Sequence, residues 1–208
     1  IYVPTAPLGR LVPAKRQELL PPGGQILAPA PAALAEQILY VGANGPYDGV
    51  HELMAAMQQV HAQRPKSRLV LVLRRAEWPK PPWPEYIHIT AASFDELAPW
   101  YHSSAVAVIP RKDTAYNRLA WPVKLMDYWS YGLPVVVTGP SPAADAVALY
   151  HGGIVVRSGV PALAQGLVQL LANPEIRQAA RDNGLRAIRQ EHSWQHRAQQ
   201  ILEQLHLS

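Results

Sequence analysis

Six apolar runs recur along the chain: ILYVG (38–42), RLVLVL (68–73), YIHIT (86–90), AVAVIP (105–110), PVVVT (134–138) and GGIVVR (152–157). Each is short, mostly unbroken by polar residues, and bounded by turn signals. Continuous runs of this kind suit strands buried on both faces, which is the condition of a parallel sheet. The stretches between them change period. Val50, Leu53, Met54, Met57 and Val60 recur at helical spacing between Gly49 and Gln63. SFDELAPWYHSS (93–104) offers Ser93 as a helix N-cap and predicts Phe94, Leu97 and Tyr101 on one face. Helices are expected over 161–172, 174–190 and 193–206, with Pro174 in a first turn and Ser193 as a cap. Strands alternating with helices predict an α/β fold, a doubly wound parallel sheet of about six strands with helices on both faces. In such Rossmann-like sheets ligands bind at the carboxyl ends of the strands.

A chain of 208 residues suits one large domain better than two. Proline is the compositional anomaly, with 21 residues, seven before position 32 and four in WPKPPWP (78–84). The first 36 residues therefore read as an extended lead-in. Opening on Ile1 without methionine, the sequence reads as a piece of something longer. Cysteine is absent, which excludes disulfides, thiolate metal sites and a cysteine nucleophile, and fits a reducing compartment. No run of 18 apolar residues occurs, so no membrane-spanning helix is expected. The net charge of +4 suits a small anionic ligand or an acidic membrane face. No Lys/Arg-rich run with interleaved aromatics points to nucleic acid.

WPVKLMDYWSYGLPVVVT (121–138) joins a helix to the fifth strand. Pro122 is expected at the first helical position, where its missing N–H costs nothing. The amides of Val123 and Lys124 then sit at the positive helix end, a ready anion site. Leu125, Met126 and Trp129 predict a buried face, and Lys124, Asp127 and Tyr131 share another. Lys124 can neutralise a phosphate, and Asp127 can accept two hydrogen bonds from a vicinal diol such as a ribose. An Asp in a first turn and an i, i+3 ion pair are also common surface features. The spacing alone leaves both readings open.

The pattern P-x-K-x-x-D-Y-x-x-x-G-L-P-V-V-V-T resembles the nucleotide-binding signature of retaining group 1 glycosyltransferases with two Rossmann-like domains, the GT-B architecture. Their usual form is P-x-K-x-x-E-Y-[ML]-A-x-G-x-P-V-V. Other landmarks agree in order: Gly42 ending a strand, Gly49 opening a helix, the run from Phe94 to Pro110, and H-S-W at 192–194. The likeness spans about 38–206 and implies the C-terminal, donor-binding half. It divides the chain into a lead-in or interdomain segment (1–36), a nucleotide-sugar-binding domain (37–192) and a C-terminal helix (193–208) packing toward an N-terminal half. The activity implied is transfer of a sugar, of hexosyltransferase type, from a nucleotide-sugar to a glycan or glycoconjugate in polysaccharide biosynthesis. The setting implied is cytoplasmic, at the inner membrane face. No cofactor is implied beyond the nucleotide-sugar, which is a substrate.

By that resemblance Asp127 holds the ribose hydroxyls, the base lies by Thr90 and Ala91, and Lys124, Val123 and Gly42 border the donor. The acidic residue often found eight positions before the carboxylate is Leu119 here. The Arg and Lys that commonly follow the first strand are replaced by Ala43 and Asp48. Arg74, Arg75 and Arg118, or Arg111 and Lys112, lie where they could contact phosphates instead, and the sequence does not choose among them. No catalytic residue is identified. The replacements also suit a catalytically impaired nucleotide-sugar-binding or structural module, and a sugar-nucleotide epimerase shares the two-domain plan. Other signals are weak. His192 and His196 suggest no third metal ligand. Gly42-Ala-Asn-Gly45 is not a dinucleotide fingerprint. Ser103 and Ser104 lie at a helix end, and Trp121 either lines the donor pocket or is buried.

Overall fold

The computed structural model describes residues 2–3, 10, 18–28 and 36–205. Its sheet holds all six expected strands. They follow β1 (Tyr2–Val3) and β2 (Glu18–Leu19), which pair with each other in parallel. The six are β3 (Gln37–Gly42), β4 (Arg68–Leu73), β5 (Ile87–Thr90), β6 (Val106–Ile109), β7 (Val135–Gly139) and β8 (Gly153–Arg157). Every pairing is parallel and the spatial order is β5-β4-β3-β6-β7-β8. Counted from β3, this is 3-2-1-4-5-6, the doubly wound order whose direction reverses between the first and fourth strands.

Helices cover both faces: α1 (Val50–Gln63), α2 (Ala98–Ser103), α3 (Lys124–Ser130), α4 (Pro142–Tyr150), α5 (Val160–Ala172), α6 (Pro174–Ala187) and α7 (Trp194–Gln204). The period-two geometry of a strand sends neighbouring side chains to opposite layers. Ile38 and Tyr40 enter the core that holds Leu53 and Met57 of α1 and Leu167 of α5. Leu39 enters the other core, with Leu125, Met126 and Trp129 of α3. The three α3 residues expected to form its buried face are fully buried.

Phe94, Leu97 and Tyr101 face one pocket, although Phe94 is 70% exposed. Two local expectations are corrected. Ser93 caps, in a capping box with Glu96, a single 3-10 turn, Phe94–Glu96, and the helix itself starts only at Ala98. The helix expected over 174–190 ends at Ala187, and a π turn, Ile188–His192, follows. Ser193 forms a parallel bridge with Gly24, which needs extended backbone, so no helix can run through it. The Gly24 amide donates to the His192 carbonyl at 2.7 Å, and the Trp194 amide donates to the Gly24 carbonyl at 3.0 Å. Much of the expected lead-in over 1–36, and the end of the expected last helix at 206, lie outside the described residues.

Candidate functional site

The site forms where strand pairing stops. β3 pairs with β4 along its whole length, to Gly42 opposite Leu73. It pairs with β6 only at Ile38 and Leu39. Beyond Leu39 the two strands are no longer bonded, and the Val41 amide needs another acceptor. It donates to the hydroxyl of Tyr128 on α3 at 3.0 Å. Burial pushes the Tyr128 phenol pKa up, so that hydroxyl stays neutral. α3 is thereby pinned to the reversal point of the sheet.

Lys124 lies four residues before Tyr128, on the same helix face. Its ammonium sits 4.1 Å from the centre of the Tyr40 ring, a cation–π contact. Tyr40 points into the opposite core layer, so the lysine reaches past the tip of β3. Gly42 leaves room for it: a Cβ there would collide with Nζ. Burial depresses the Lys124 pKa to about 7; nearby Asp48 opposes that shift and Arg111 adds to it. Pro122 is not the first helical residue. α3 begins at Lys124, after a tight turn in which Leu125 bonds back to Pro122 and Met126 to Val123. Val123 is exposed at the N-cap.

Asp127 faces the β5 side of α3. It borders a pocket of about 10 Å³ with Gln25, Phe94, Leu97, Tyr101, Ser130 and Tyr131. That volume holds about one water, so a nucleoside would have to lie across the mouth, beside exposed Phe94. The Asp127 side chain has no hydrogen bond or ion pair among the described residues, and burial raises its pKa. Tyr101 and Tyr131 stack beside it at 4.3 Å. The Gln25 amide donates to Ser130 Oγ at 2.9 Å, bringing the lead-in against the same helix. Thr90 ends β5 and Ala91 follows, four and three residues ahead of Phe94; both are outside the pocket's lining.

The basic candidates separate clearly. Arg118 is paired with Asp113 at 2.7 and 2.9 Å. Lys112 pairs with Glu52 at 3.1 Å. Arg74 stands 3.8 Å from Glu77, and Arg75 is exposed in the next turn. Arg111, two residues past the end of β6, is half-buried. Its Nη1 donates to the Ala120 carbonyl at 3.2 Å, while its Nε is buried without a partner. Trp121 is half-buried and its Nε1 likewise lacks an acceptor. In the loop after β3, Ala43 offers its carbonyl to the Tyr40 hydroxyl at 2.6 Å, and Asp48 accepts from the Gly45 amide at 2.9 Å. His192 Nδ1 contacts Arg197, its Nε2 is buried without a partner, and His196 Nδ1 contacts Ser193 Oγ at 2.7 Å.

Residues 35–173, more than half of the chain, match the family described as Glycosyl transferases group 1. The chain belongs to that family. No curated protein matches it. Among solved structures, this group 1 glycosyl transferase is similar to a sucrose-phosphate synthase from Thermosynechococcus elongatus (23% identity, TM-score 0.76). The match covers 99% of this chain and 57% of that one. It is also similar to WaaG, a glycosyltransferase involved in lipopolysaccharide biosynthesis, at 16% identity and TM-score 0.72, with 97% and 61% covered. The pneumococcal O-GlcNAc transferase GtfA, solved with UDP and GlcNAc, matches at 11% identity and TM-score 0.73, with 99% and 44% covered. These similarities are of fold, and the chain spans about half the length of the structures it matches. The six-stranded sheet corresponds to one Rossmann-like half of a GT-B glycosyltransferase.

Sequence reasoning missed three contributors to this group 1 glycosyl transferase site. Tyr40 reads as an ordinary strand residue, and only the direction of Lys124 gives it a role. Tyr128 stands in the quoted signature directly after Asp127, but nothing in the sequence gives it the Val41 amide as a partner. Gln25 lies about a hundred residues from the helix it covers, and no local pattern could place it there.

Proposed function

We propose that this chain is the donor-nucleotide-binding half of a retaining glycosyltransferase of hexosyltransferase type. It would move a sugar from a nucleotide-sugar to a glycan or glycoconjugate acceptor. The observation that carries this reading is the division of labour on α3. Lys124 sends a cation toward the β3–β6 crevice, and Asp127, three residues on, presents an unpaired carboxylate toward the β5 side. A diphosphate over the first and a ribose diol over the second suit one extended donor, with its base near Thr90, Ala91 and exposed Phe94. Gly42 and Val123 border the path between them. The acceptor belongs to a second half, in keeping with the share of the matched structures that this chain spans. A cytoplasmic setting at an acidic membrane face, with a role in polysaccharide biosynthesis, follows from the same reading.

Asp127→Asn is the direct test. A charged hydrogen-bond acceptor is worth about 1–3 kcal/mol, so nucleotide affinity should fall by that amount in a titration with nucleoside diphosphates. The fold should persist, because the carboxylate holds no other described group. Unchanged affinity would reduce Asp127 to a helix-terminus charge.

A second reading, a catalytically impaired binding module, is favoured by one arrangement. Where the family's common cations stand, this chain has Ala43, engaged only through its carbonyl, and the acidic Asp48 beside Lys124. Tight donor binding with no sugar transfer by the full-length protein, assayed with radiolabelled nucleotide-sugars, would support that reading. Turnover would remove it. The isolated chain should bind a nucleoside diphosphate and transfer nothing, since proximity to an acceptor supplies roughly 7–11 kcal/mol of such a barrier.

A further inference from the structure

We propose that Arg111 is the second cation of the donor site, contacting the diphosphate from the β6 side while Lys124 contacts it from α3. The inference rests on the reading of this crevice as the donor cleft.

Its position argues first. Arg111 follows the last residues of β6, the strand facing β3 across the reversal point, where the two have ceased to pair. The backbone there is held from several directions. The Arg111 carbonyl accepts from Thr138 Oγ1, and the Lys112 amide donates to the Tyr47 carbonyl at 3.3 Å. Asn117 Nδ2 ties the Tyr47 and Lys112 carbonyls together at 2.8 and 2.9 Å. The guanidinium therefore projects from a fixed base, with Nη1 anchored on the Ala120 carbonyl just ahead of α3.

Its unspent chemistry argues second. A guanidinium has five N–H donors and no acceptor. Nη1 alone is engaged, on the Ala120 carbonyl; Nε is buried without a partner, and Nη2 is the donor left facing outward for a ligand. Lys112, Arg118 and Arg74 each have a carboxylate; Arg75 and Arg111 have none among the described residues, and of the two only Arg111 is half-buried, just past the end of β6. It also lies close enough to Lys124 for its charge to act on that ammonium, and the one carboxylate acting on Lys124 is Asp48. Glu77 also acts on Tyr40, but it already stands 3.8 Å from Arg74, so Lys124 and Arg111 share Asp48, and a diphosphate would supply further negative charge in a form that arginine can hold. The same contact would stabilise the leaving nucleoside diphosphate as charge develops on it.

The test compares each nucleoside diphosphate (uridine, guanosine, adenosine) with its own nucleoside by calorimetry. The full-length wild type, Arg111→Met and Arg111→Lys are measured, with Lys66→Met, at the far end of the sheet, as control. Arg111→Met should lose about 10- to 100-fold in diphosphate affinity and nothing for the nucleoside. Arg111→Lys keeps the charge without the fork and should lie between, which covers the case in which the methionine variant folds poorly. Equal diphosphate affinity in wild type and both Arg111 variants would overturn the role of Arg111 and leave the donor cleft standing. An equal loss in Lys66→Met would overturn it too, by showing a general field effect. A wild type that binds no nucleotide would overturn the donor reading and the inference together.

Discussion

The depressed pKa of Lys124 makes donor binding depend on pH in a way that can be worked out beforehand. In the free protein burial lowers it to about 7, so near neutrality about half of the lysine is uncharged. An anionic phosphate against the ammonium stabilises its charged form and raises the pKa in the complex. Binding must then take up a proton. With a free-state pKa near 7 and the bound ammonium staying charged over this range, affinity falls by about 30-fold from pH 6 to pH 8.5, or ~2 kcal/mol. A nucleotide-sugar is the appropriate probe, because a terminal phosphate titrates near pH 6 and would confuse the profile. Calorimetry at pH 7.5 in two buffers of different ionisation enthalpy should read uptake of roughly three quarters of a proton. Lys124→Arg, which cannot be deprotonated in this range, should flatten the profile. A wild type with no pH slope and no proton uptake would refute the placing of the Lys124 ammonium against donor phosphate.

Two further outcomes concern the scaffold. For Lys124 the folded pKa lies below the ordinary lysine value of 10.5, so the unfolded chain binds more protons between about pH 7 and 10.5. The penalty is fully present below pH 7 and is relieved as pH rises through that window. Lys124→Met should therefore raise the thermal midpoint at pH 6–7, with a gain that shrinks toward pH 10; a lower midpoint at pH 6 would contradict the burial argument. Gly184 lies inside α6, where alanine ordinarily gains about 1 kcal/mol. Here a Cβ would stand 2.7 Å from the Trp129 ring behind α3. Overpacking costs about 1–3 kcal/mol, so Gly184→Ala should lower the urea midpoint; a higher midpoint would show that the indole yields.

The sequence by itself determined the strands, because runs such as RLVLVL and PVVVT have no polar face to offer solvent. It also determined the joint: Lys124 and Asp127 are three apart on one helix whatever surrounds them, and Leu125, Met126 and Trp129 must go inward. Ser93 and Ser193 marked helix starts through chemistry local to each turn. Strand order was another matter, since an unbroken apolar run fits beside any other, and only the packed sheet put β3 between β4 and β6. The break in pairing after Leu39, the use of Tyr128 to satisfy Val41, and the passage of Lys124 over Gly42 to Tyr40 all follow from that order. Tertiary structure also sorted the arginines. Arg118 and Arg74 met carboxylates a few residues away, while Arg111 was carried by β6 into the crevice and left with a donor unspent. Local spacing decides which face of an element a side chain occupies. What meets that face is decided by residues distant in the chain, through contacts that have no period to read.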